Sequence, residues 1–87
     1  TREEVKNNLK TTLKLLDLVP GDNWTHHSVK DAIMTYLEAK QLKVGDYLWP
    51  LRVALTGEKA SPGPFEVAEV LGKKVSFQRI DRAVHKL

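Results

Sequence analysis

The sequence contains no cysteine, which excludes disulfides and thiolate zinc sites. No apolar run approaches bilayer-spanning length and no signal-peptide pattern opens the chain, so the expectation is a protein without membrane contact, in a reducing cytoplasm. Strand-like alternation, internal repeats and low-complexity tracts are also missing. So are the short patterns that carry chemistry: H-E-x-x-H, G-x-S-x-G, a Walker loop and G-x-G-x-x-G. His26 and His27 are adjacent, so a helix cannot turn both toward one site, and His85 lies far along the chain. No nucleophile pairs with a base. These absences disfavour a metal site and a small autonomous enzyme, and no catalytic or metal-binding residue is expected.

What remains is a chain of 87 residues, enough for one small domain spanning 1–87 with a modest core. Hydrophobic residues make up 41% and charged residues 29%, too apolar a balance for a disordered segment. The first residue is Thr1, which suggests a processed or excised piece. The net charge of +3 is uneven. Residues 61–87 hold five bases against three acids, whereas residues 21–60 hold five of each. The excess comprises Lys73, Lys74, Arg79, Arg82 and Lys86, and such a face serves either as solvated surface or as an attractor of phosphates.

The apolar spacing is helical. Val5, Leu9, Leu13 and Leu16 recur at three- and four-residue steps and predict an amphipathic helix over 2–18. Pro20-Gly21-Asp22-Asn23 stops it. Thr25 or Ser28 then caps a second helix, which buries Val29, Ile33, Tyr36 and Leu37 and runs to about Gln41. A third helix covers roughly 46–56, with Leu48, Leu51 and Leu55 on one stripe and Pro50 near its first turn. Gly57 stands where a left-handed terminating residue is wanted. Pro64 opens a fourth helix and Gly72 closes it. Ser76 caps a fifth, with Val75 and Ile80 placed as a hydrophobic staple and Phe77, Ile80, Val84 and Leu87 as its stripe. The predicted fold is all-α, one compact domain of about five helices. Most aromatic residues fall at core periodicity; Trp49, next to Pro50, is the one placed nearer the surface.

Two features could contact a ligand. Gly57 to Pro64 holds two prolines and two glycines within eight residues, stiff enough to limit ordering entropy yet open to close backbone approach. Its carbonyls, amides and the Ser61 hydroxyl could bond the edge of an unpaired base, and the helix start at Pro64 suits a phosphate. The same residues also serve as an ordinary helix connector. Arg52 lies beside Leu48, Leu51 and Leu55, so its stem packs on apolar surface. Its planar cation can then stack on or bond a base, snorkel, or pair with Glu66 or Glu69.

The run Pro50-Leu51-Arg52-Val53-Ala54-Leu55-Thr56-Gly57, followed by Ser61-Pro62-Gly63-Pro64-Phe65-Glu66 and Leu71-Gly72-Lys73, closely resembles the C-terminal anticodon-binding domain of bacterial-type glutamyl-tRNA synthetases, which are class I enzymes. The likeness is firmest over 47–87 and extends more weakly upstream through Trp24. It implies that Arg52 contacts the anticodon, together with Ser61, Pro62, Gly63 and Pro64. Lys73, Lys74 and Arg79 are candidates for the RNA backbone. Many relatives carry threonine where Ser61 stands and leucine where Pro64 stands; the second exchange removes an amide donor and an apolar side chain. The parent of such a domain looks like a glutamate–tRNA ligase that uses ATP and Mg²⁺. The family's HIGH-like and KMSKS-like motifs are absent from these residues, so this piece is expected to be non-catalytic, cofactor-free and monomeric. Its expected partners are a glutamate-accepting tRNA and the rest of the synthetase chain. The competing expectation is a helical protein-interaction module that docks a partner through its Pro/Gly loop.

Overall fold

The computed structural model describes residues 1–57 and 63–87, so the predicted contacts at Ser61 and Pro62 lie outside the described residues. Among the described residues there are four α-helices, not five: α1 (Arg2–Asp17), α2 (His26–Ala39), α3 (Val44–Thr56) and α4 (Pro64–Lys86), with a 3-10 turn over Gly21–Asn23. No strand occurs among the described residues. Both α1 and α4 pack against each of the other three helices. Leu9, Leu16, Val29, Ile33, Leu37, Leu51, Leu55 and Ile80 are almost fully buried, as the helical spacing required. Thr12 joins this core although it is polar. It lies on the same face as Leu9 and Leu16, and its hydroxyl donates to the Asn8 carbonyl at 2.9 Å, so burial leaves it satisfied.

The helix ends show why the chain folds as it does. Thr25 caps α2 by accepting from the Ser28 amide, while the Ser28 hydroxyl accepts from the Thr25 amide, so both candidate caps act in one capping box. At the far end of α2 the Leu42 amide donates to the Leu37 carbonyl and the Gln41 amide to the Glu38 carbonyl. This Schellman pairing requires a left-handed residue, and Gln41 adopts it at φ 55°. Gly57 ends α3 at φ 75° without that strain, its amide donating to Val53 at 2.7 Å.

Helix α3 begins two residues earlier than the sequence suggests, which places Pro50 in the helix interior. A proline there cannot donate to the carbonyl four residues before it, Asp46. The Asn8 side-chain amide of α1 donates to that carbonyl at 3.1 Å instead. Tertiary packing thus repairs the break that the local rule warns of.

The predicted boundary between fourth and fifth helices is a kink within α4. Gly72 takes φ 84° and ψ 165°, a region essentially reserved for glycine, and helix resumes directly after it. Ser76 is therefore not an N-cap. It is fully buried inside the second segment, and its hydroxyl donates to the Ala68 carbonyl at 3.3 Å. The Trp24 indole donates to the same carbonyl at 2.7 Å, and its ring lies 6.3 Å from that of Phe77. The interrupted ladder leaves a carbonyl that distant side chains complete.

Candidate nucleic-acid interface

The end of α3 presents one open face. Trp49, Arg52, Val53 and Thr56 follow one another at helical steps on the side away from Leu51 and Leu55. Trp49 is 49% exposed and Val53 39% exposed, because the core positions of this helix are already filled. Arg52 is half-buried, and its guanidinium has no hydrogen-bond or ion-pair partner among the described residues; only its backbone carbonyl is used, by the Thr56 hydroxyl at 2.8 Å. The sequence offered Glu66 and Glu69 as partners. Glu69 is committed elsewhere: it accepts from the His26 amide and from His26 Nδ1 at 2.7 Å, which closes the start of α2. These bonds hold the Glu69 carboxyl below its ordinary value, the backbone bond contributing most. Glu66 folds back along its own helix start, its carboxylate lying against Gly63.

Gly63 is the residue preceding α4 and Pro64 its first, so these two predicted loop residues form the start of that helix. Pro64 is buried and Gly63 half-buried. A proline at the first helical position forgoes a free amide, which leaves the next amides to carry any hydrogen bonding there.

The predicted backbone cations separate. Lys73 donates to the Asp17 and Val19 carbonyls at 3.2 and 2.7 Å and sits 5.7 Å above the Phe77 ring, so it closes the end of α1. Lys74 is exposed on a neighbouring face of α4. Arg79 donates through Nη1 to the Leu55 carbonyl at 2.6 Å, where it completes the last turn of α3. Three, not one, of the cations on the second segment of α4 face this end of α3: Arg79, Arg82 and Lys86 line a cleft of about 610 Å³ whose walls include Trp49, Val53 and Leu87. Sequence reasoning counted Arg82 and Lys86 in the charge but not in the site. Their spacing from Arg79, three and seven residues on, was the signal that all three share one flank.

No cluster of three or more His, Cys, Asp or Glu residues able to hold a metal occurs among the described residues, and none of their helices is long and apolar enough to cross a membrane. Cations without partners among the described residues, beside an exposed aromatic ring, are chemistry that suits a planar, negatively charged ligand.

The family model of the anticodon binding domain matches residues 1–84. The chain belongs to that family. A glutamate–tRNA ligase of Clostridium tetani is 37% identical to this anticodon-binding domain over 84 residues, covering 94% of the chain and 17% of the ligase. The ligase of Clostridium novyi is 39% identical with the same coverage. That of Clostridium kluyveri is 36% identical over 91 residues, covering 98% of the chain and 19% of the ligase. The domain therefore spans less than a fifth of the length of the relatives it matches. No solved structure matches it.

Proposed function

We propose that this domain reads the anticodon loop of a glutamate-accepting tRNA as one part of a larger cytoplasmic glutamate–tRNA ligase. The observation that carries the reading is Arg52. It is half-buried on α3, its guanidinium has no partner among the described residues, and it lies five residues before Gly57 on a chain of this family. Such a cation can stack on an unpaired base or bond its edge without first losing a protein partner. The residues from Ser61 to Pro64 would read neighbouring bases with hydroxyl and backbone groups. Each base so held contributes about 1–3 kcal/mol, enough for selection among anticodons. Glutamate activation with ATP and Mg²⁺ belongs to the rest of such an enzyme.

The reading is tested by titrating the domain with a glutamate-tRNA anticodon stem-loop at low salt and following backbone amide shifts. Perturbations centred on Arg52 and 61–64 that vanish with a scrambled loop support it. The rival, docking of a partner protein, draws on Leu18 and Val70, which are 78% and 85% exposed. It is favoured if neither RNA perturbs the domain.

A further inference from the structure

The cleft between the C-terminal ends of α3 and α4 is not explained by Arg52 and the loop, and its chemistry is one-sided. Among the described residues no Asp or Glu side chain lines it. Asp81, the sole acid on the second segment of α4, stands by His85 on another flank, 3.6 Å from its Nδ1. Arg82 and Lys86 are exposed and have no partner among the described residues. Arg79 spends one guanidinium nitrogen on the Leu55 carbonyl. That bond has an electrostatic consequence. A helix C-terminus carries partial negative charge and repels an anion, and here a full positive charge sits directly against it. The apolar wall is equally specific: the Trp49 ring is half-exposed beside Val53, with no aromatic neighbour covering it.

We infer that this cleft is a second RNA contact, in which Arg82 and Lys86 take phosphates of an unpaired strand and Trp49 carries one of its bases. Cations along a groove with an exposed aromatic face form the combination that holds single-stranded nucleic acid without reading its sequence. Trp49 precedes Arg52 by one helical turn, so a strand leaving the Arg52 face runs onto this cleft without crossing the core. The strand is identified with the anticodon loop only on the reading proposed above; the affinity of the cleft for phosphate and base does not depend on it.

The test compares the 87-residue wild type with an Arg82→Gln/Lys86→Gln double variant and with Trp49→Leu, each checked for an unchanged helical spectrum. Each is titrated by fluorescence anisotropy with the cognate anticodon stem-loop and with the same stem carrying a scrambled loop, across a salt series. The double variant should weaken binding to both RNAs alike and flatten the dependence of log K on log salt by about 1.4, since each single-strand phosphate contact contributes about 0.7. Trp49→Leu should weaken both by about fivefold or more while leaving the slope unchanged. Retained affinity and slope in the double variant overturn the inference, even where the wild type discriminates the two loops and the anticodon reading stands. A wild type that binds both loops equally, with the expected losses in the variants, supports the cleft and sinks the anticodon reading. Binding to neither RNA overturns both.

Discussion

The two ends of α4 use the same kind of residue in opposite ways. Near the kink, Lys73 spends its ammonium on two carbonyls that finish α1, Trp24 and Ser76 meet at the Ala68 carbonyl, and Glu69 closes the start of α2. Near the C-terminal end, Arg82 and Lys86 bond nothing among the described residues, and the guanidinium of Arg52 on α3 has no partner among them either. The first region has committed its hydrogen bonds to holding helices together. The second has kept donors in reserve, beside apolar surface that the core did not need. A cation's partners, more than its position in the sequence, separate a staple from a binding group.

The sharpest way to break the comparison is at Gly72. Gly72→Ala forces a side chain into backbone geometry that only glycine tolerates, although no atom stands within 4 Å of the added carbon, so the cost is conformational. Urea unfolding should show a loss of about 1–3 kcal/mol, while the fraction that remains folded keeps its RNA affinity. Arg52→Ala should do the reverse. Its stability should change little, and affinity for the cognate stem-loop should fall by about one to two orders of magnitude, read by anisotropy at fixed salt. An unchanged affinity would remove Arg52 from the site.

Two smaller effects belong to the committed region and its neighbour. Gln41→Gly should relieve a left-handed glutamine and stabilise the domain by about 0.5–1 kcal/mol, less than the full strain because glycine also loosens the unfolded chain. A lower urea midpoint would contradict the Schellman geometry as described. Glu69 provides a pH test. Its folded carboxyl titrates below the ordinary value of 4.5, so its contribution is fully present above that value and is lost as pH falls through the lowered one. Acid unfolding followed by circular dichroism should therefore be less steep in Glu69→Gln than in the wild type.

The helices α1 and α2, the stop at Pro20-Gly21, the capping role of Thr25 and Ser28, and Gly57 as a terminator were all legible in the sequence, because periodicity and capping act over one or two turns. The run from Pro50 to Lys73 was legible as a family pattern and led to Arg52. The start of α3, the continuity of α4 through Gly72 and the burial of Ser76 were not. Asn8 completes the Asp46 carbonyl from 38 residues away, and Trp24 completes the Ala68 carbonyl from 44 residues away. No local rule contains those donors.

The sequence by itself therefore determined the all-α class and the apolar stripes, since both follow from side-chain chemistry at fixed spacing, while the family pattern is what singled out Arg52 and residues 61–64 as candidates. Tertiary structure alone decided which cations are spent and which remain available. Lys73 and Arg79 are drawn to helix-end carbonyls that only packing brings near, and Arg82 and Lys86 are left facing the Trp49 cleft because the bend at Gly72 sets the direction of the helix that carries them.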